Sequence, residues 1–199
     1  MHVSVIPPPL ADPESALQFL SALDPDATSF NLRSFTDRKK ETPDKGWPQN
    51  HDNVALADIP ALLDEQAARG RGLFVVVNAG GQKKVEIERC RALFLDLDLR
   101  AFDDVDACDA AMRAAHEGRS TVEGSIPPGW PHASIVTRSG GGGYHLYWLV
   151  DDIPLGLFTA VQEALAARFG GDKSVSDPSR VMRLPGSVHF KSDPVAVKL

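Results

Sequence analysis

The segment Ala92 to Asp98, ALFLDLD, constrains this chain more than any other. Unbroken apolar residues from Ala92 to Leu95 read as a buried strand, yet the run ends in two carboxylates two residues apart. In a strand such residues share a face, so Asp96 and Asp98 point together while Leu95, Leu97 and Leu99 turn into the core. Carboxylates so close repel, and they stay ionised at neutral pH only with something positive between them. Oxygen donors without nearby thiols select a hard cation, Mg²⁺ or Mn²⁺. A bare DxD also fits a plainer reading, in which Asp98 ends the strand and Asp96 caps a turn.

The rest of the sequence interleaves helices and strands, which predicts a mixed α/β fold. ADPESALQFLSAL is a core-facing helix with Asp12 as N-cap and Ala16, Leu17, Leu20 and Leu23 on one stripe. TSFNLRSF alternates as a half-buried strand, with Arg33 on the polar face. Thr36 to Asn53 is charged and aperiodic and reads as an exposed loop. A helix from Ile59 to Ala68, a central strand at GLFVVVN and a basic hairpin-like stretch, AGGQKKVEIERCR, lead into the acidic strand. A helix from about Asp103 to His116, the loop EGSIPPGWPH, strands at ASIVT and YHLYWLV, and a long helix ending at Gly170 and Gly171 follow.

The 199 residues, 43% hydrophobic, suffice for one sizeable domain. Cys90 and Cys108 have no CxxC spacing, and no apolar run is long enough to span a membrane, so a reducing cytoplasm is the expected location. A formal net charge of -6 is unhelpful for gripping a polyanion, so nucleic-acid binding would need a local basic patch or bound cations.

Two further segments carry chemistry. In RSGGGGYHLYW, the glycines, Gly141 and Gly142 among them, permit positive φ and let backbone N–H groups approach an anion. His145 and Tyr147 share one face of the returning strand. In GGDKSVSDPSRVMRLPGSVHFK, Asp172 follows the helix-ending glycines, and Arg180 and Arg183 bracket apolar Val181 and Met182 as anchored guanidinium groups suited to phosphate. Read blandly, these are a hairpin loop and a solvated C-terminal segment.

A strand ending in DxD, then SGGGGYHLYW, then GGDKSVSDPSRVMRLPGSVHFK resembles the archaeo-eukaryotic primase superfamily, within it the RepB-like and PrimPol domains of plasmids and phages. The resemblance is strongest from Ala92 to Lys191. It implies an α/β (α+β) primase-like catalytic core, an RRM-like mixed sheet flanked by helices, over residues 1–199, with 1–91 as its N-terminal part and 92–191 bearing the motifs. Such a core can form the N-terminal domain of a longer replication protein. Metal ligands would be Asp96, Asp98 and Asp172. Ser139 and His145 would bind nucleoside triphosphate, and Arg180, Arg183 and Lys191 would line the pocket. Single-stranded template and primer are the implied partners, with a helicase as a further one. Where many relatives carry Asn before the closing Lys, this chain has His189 and Phe190.

Two alternatives stand beside this reading. LFLDLDL is similar to the start of haloacid-dehalogenase phosphatases, where the first Asp is a nucleophile, although Leu99 stands where that family has Thr or Val. The other alternative is a primase-like module that binds single-stranded DNA or an origin with weak or no catalysis.

Overall fold

A computed structural model describes residues 11–37, 47–119, 131–151, 153–191 and 194–199. The elements run α1 (Pro13–Leu23), β1 (Ser29–Thr36), β2 (Gln49–Ala55), α2 (Ile59–Ala68), β3 (Arg71–Val76), β4 (Ala79–Gly80), β5 (Ile87–Arg89), β6 (Ala92–Leu97) and α3 (Val105–His116). They continue with β7 (Ile135–Arg138), β8 (Tyr144–Leu149), α4 (Leu155–Phe169), β9 (Val181–Arg183), β10 (Val188–His189) and β11 (Val195–Ala196). The fold is the expected mixture of helix and sheet, and its strand pairings are antiparallel. One sheet has the order β2-β1-β3-β9 and a second has β6-β8-β7; two short ribbons pair β4 with β5 and β10 with β11.

Local chemistry explains most boundaries. Asp12 caps α1 by accepting from Ser15 N, and Pro13 takes the first helical position, where no amide is needed. Asp104 caps α3 through Ala107 N, so that helix begins at Val105 rather than Asp103. Gly170 ends α4 in the left-handed region at φ 71°, which a side chain would disfavour.

The core fills both faces of β8. Tyr147 meets Phe19 of α1 edge-on, ring centroids 5.1 Å apart, while Trp148 on the opposite face stacks on Phe169 of α4 at 6.0 Å. β6 lies at the margin of its sheet, and its outer backbone groups are met by α4: the buried Gln162 side chain accepts from Phe94 N and donates to Phe94 O.

The structure corrects one reading. Where Thr36 to Asn53 reads as a loop, Thr36 closes β1 and a strand paired with β1 runs from Gln49 to Ala55, while residues 38–46 lie outside the described residues. QNHDNVA has no apolar alternation because the strand is an exposed sheet edge with no face to bury. The loop EGSIPPGWPH also falls mostly outside the described residues.

Candidate active site

The acidic strand and the histidine strand meet in register. Asp96 on β6 stands opposite His145 on β8, which in turn stands opposite Thr137 on β7, and alternation puts all three on one face of the sheet. His145 is buried, and its Nε2 lies 3.7 Å from Asp96 Oδ1, close enough for electrostatic attraction and too long for a hydrogen bond. Burial pushes the His145 pKa down against the pull of Asp96, so the ring is neutral at pH 7.

Asp172 comes to Asp96 by a backbone route. Its N–H donates to the Asp96 carbonyl at 2.9 Å, on the free margin of β6. This approach needs Gly171, since a Cβ there would overlap Leu95 Cδ1 and sit 3.3 Å from Asp96 O. The sequence GGD is therefore a helix stop, a close approach and a carboxylate in succession. Burial, together with the charges of Asp98 and Asp172, raises the Asp96 pKa, although His145 and Arg180 oppose the shift.

Asp98 departs from expectation. β6 ends at Leu97, and Asp98 caps the short turn Leu99–Ala101 by accepting from Arg100 N. The Arg100 guanidinium grips the same carboxylate, with Nε 3.1 Å from each oxygen and Nη2 on Oδ2. Hydrogen bonds from Arg100 hold the Asp98 carboxyl below its ordinary pKa. Asp172 is likewise engaged locally, accepting from Ser174 N and Ser174 Oγ at 2.8 Å each.

These carboxylates open onto a cleft of about 1000 Å³ that reaches across to the β1–β3–β9 sheet. Ser139, Gly141, His145, Arg180, Arg183 and Lys191 also line it. Thus nine of the ten residues singled out from the sequence face one space. Gly142 is the exception. It turns the hairpin at φ 89°, and a side chain there would meet Leu99 Cδ2 at 2.8 Å, so it serves the turn. Gly143 matters for packing too, because a Cβ would overlap the Leu97 carbonyl. Gly141 has open space, its nearest would-be neighbours being His189 Nε2 at 3.9 Å and Ser139 Oγ at 4.0 Å.

Arg183 is anchored, and what anchors it is a counter-charge within the chain. It is buried, donates through Nη2 to Asp37 Oδ1 at 2.7 Å and through Nη1 to Val188 O at 3.2 Å, and lies over the Phe74 ring at 4.4 Å. Asp37 also accepts from Phe190 N at 2.8 Å. The pair ties β9 and the chain after it to the end of β1, so Arg183 positions the cleft wall. Arg33, on the polar face of its strand, also lines the cleft, fixed by Asn50 Oδ1 at 3.0 Å and Gln82 O at 2.9 Å. Asp37 and Arg100 were missed. The signal for Asp37 was the buried Arg itself, which requires a counter-charge somewhere in the chain.

Among the described residues, no three His, Cys, Asp or Glu side chains are gathered closely enough to hold a metal ion. The donor chemistry nonetheless suits a hard divalent cation: Asp96, Asp98 and Asp172 face one cleft, and the Asp96 pKa, raised first by burial, is raised further by the other two carboxylates, whose repulsion a cation would relieve.

With this geometry in hand, comparison with known proteins is informative. A family described as the RepB DNA-primase N-terminal domain matches residues 102–195, a span that includes His145, Asp172 and Lys191 and begins just after Asp98. A replication protein of Clostridium perfringens is 39% identical over 160 residues, covering 76% of this chain and 36% of that protein. The chain thus spans about a third of that relative's length. Among solved structures, the AEP domain of the cyanophage S-2L primase-polymerase (PrimPol) superposes with a TM-score of 0.73 at 25% identity, covering 96% of this chain and 90% of that one. The primase RepB′ gives 0.61 at 14% identity, over 92% of this chain and 55% of that one. The catalytic domain of RepB′ in complex with initiator DNA gives 0.55 at 15% identity, covering 92% and 83%. None of these relatives supports the phosphatase alternative. Among the described residues, no helix is long and apolar enough to cross a membrane.

Proposed function

We propose that this chain, whose fold is that of the AEP primase domains, is a nucleotidyltransferase that makes or extends primers on a single-stranded DNA template during replication. The observation that carries the reading is the convergence of Asp96, His145 and Asp172, from three separate segments, on one cleft that Ser139, Arg180 and Lys191 also line. That cleft is a place to hold a triphosphate beside carboxylates.

Asp96, Asp98 and Asp172 would hold Mg²⁺ or Mn²⁺. Bound there, the cation supplies acidification of the attacking 3′-hydroxyl and neutralisation of the departing pyrophosphate. The chain's own residues do the positioning. The neutral His145 ring and the Ser139 hydroxyl offer hydrogen bonds to the phosphate tail, Gly141 lets the backbone approach it, and Arg180 and Lys191 balance its charge. The 3′-oxygen bonds to the α-phosphorus as the bond to pyrophosphate breaks, so alignment is the chief requirement.

The test is a product assay. Primed and unprimed single-stranded templates are incubated with the protein, Mg²⁺ or Mn²⁺, and ribonucleotides or deoxynucleotides, and the products are sized. Extension of the primed template is expected, and products on the unprimed template would establish priming. Template binding with no product under any condition would leave the binding-module alternative in its place.

A further inference from the structure

Of the three carboxylates proposed to hold the cation, Asp98 and Asp172 are already engaged by the chain itself, and the partner of Asp98 is itself a cation. The Arg100 fork covers both oxygens of Asp98, the same lone pairs a divalent ion would take. The pair is solvent-facing, with the Arg100 side chain 82% exposed and that of Asp98 41% exposed. Among the described residues, Arg100 hydrogen-bonds to nothing but Asp98. Its charge is free to move, because a short turn and not a packed core holds it.

The charge balance of the cleft gives that freedom a use. Arg183 is matched by Asp37 and Arg100 by Asp98, while Arg33, Arg180 and Lys191 face Asp96, Asp172 and Asp177. Cationic and anionic groups are even, so the cleft offers a triphosphate no net attraction. A divalent ion on Asp98 changes this twice, by its own charge and by setting a guanidinium free.

On the reading given above, we propose that Arg100 is a resident counter-ion of Asp98 that a divalent cation displaces, and that the released guanidinium then contacts the triphosphate. Arg100 thereby couples metal binding to nucleotide binding. The exchange predicts effects of opposite sign for one substitution. R100Q removes the competitor, so Mn²⁺ alone binds about two- to fivefold more tightly, the range expected of an exposed ion pair. The same variant, saturated with Mn²⁺, binds dATP roughly three- to tenfold more weakly, having lost a charge-assisted contact.

Mn²⁺ binding is read without nucleotide from the electron paramagnetic resonance signal of the free ion, and dATP binding by calorimetry. A matching melting temperature shows that R100Q is folded, and a merely structural role for Arg100 would weaken both ligands together. R100Q binding Mn²⁺ no more tightly than the unaltered protein, while D96N binds it less tightly, overturns the exchange and leaves the cation site standing. D96N binding Mn²⁺ as well as the unaltered protein removes the cation site and the exchange with it.

Discussion

Arg183 fills the space that a side chain on Gly72 would need. A Cβ on Gly72 would overlap Arg183 Nη1 and lie 2.9 Å from Cζ. The Arg therefore crosses β3 only because Gly72 is bare, and it reaches Asp37 beyond. Gly72→Ala should expel the guanidinium from this slot and lower stability by about 2–4 kcal/mol, between the cost of overpacking and that of breaking a buried ion pair. Chemical denaturation followed by circular dichroism measures it; an unchanged midpoint would contradict the packing argument.

Asp37 gives that pair a pH signature. Burial raises its pKa, but the hydrogen bond and charge of Arg183 outweigh burial and bring it below the ordinary 3.8. A depressed carboxylate stabilises the fold fully above its unfolded pKa, and the contribution is lost as pH falls through the lower folded value. Melting temperature should drop as pH is taken from about 5 to 3. Asp37→Asn should start lower and show a shallower acid limb, and parallel limbs for the two proteins would count against the assignment.

Asp96 has the opposite sign. Its raised pKa means that the fold disfavours the ionised form, a cost that appears as pH rises above the ordinary carboxylate value. Asp96→Asn should melt at the same temperature as the unaltered protein or higher at pH 7, while nucleotide incorporation falls by about 10³-fold, several kcal/mol of lost transition-state stabilisation. Melting and extension assays on one preparation separate the two effects. A destabilised variant would show that Asp96 serves the fold.

The glycine loop divides into parts with different duties. Gly141→Ala meets open space, so its melting temperature should hold while nucleotide affinity declines through loss of close backbone approach. Gly143→Ala drives a methyl into the Leu97 carbonyl and should cost about 1–3 kcal/mol. Equal melting temperatures for the two variants would refute this division.

His145→Gln should weaken dATP binding about tenfold while changing Mn²⁺ affinity less than twofold, because the ring adjoins Asp96 at 3.7 Å without being one of the oxygen donors. Titration of Mn²⁺, then dATP, checks both. Loss of Mn²⁺ binding would make the imidazole a ligand.

The residues that share the cleft were legible from the sequence where their chemistry is local. Asp96, His145 and Asp172 each sit beside a strand end or a glycine pair that explains their presence. What escaped notice depended on distance or on edges. Asp37 is 146 residues from Arg183, and no periodicity links an acid near the end of β1 to a base on β9. Alternation places Asn31 with Arg33 on the polar face of β1. It keeps that face but is buried, because the extra residue that β2 carries between His51 and Val54 brings Asn53 N onto its side-chain oxygen at 2.8 Å and its amide donates to Gly80 O. Nothing in the spacing of Arg100 singles it out, since its engagement with Asp98 depends on the geometry of the turn between them.

The outermost position of β6 has a consequence for how copies of this chain meet one another. A marginal strand normally offers a row of unmatched peptide groups to any passing strand, a route to aggregation. Here one glutamine amide, Gln162, reproduces for Phe94 the donor and acceptor of a peptide unit, and the Asp172 N–H closes the next outward carbonyl, that of Asp96. At the far margin of the sheet, Arg138 at the end of β7 bridges to Lys198. Beside the cleft, the outward peptide groups of Phe94 and the carbonyl of Asp96 are thus already matched within the chain, which shortens the seam along which a second molecule could zip.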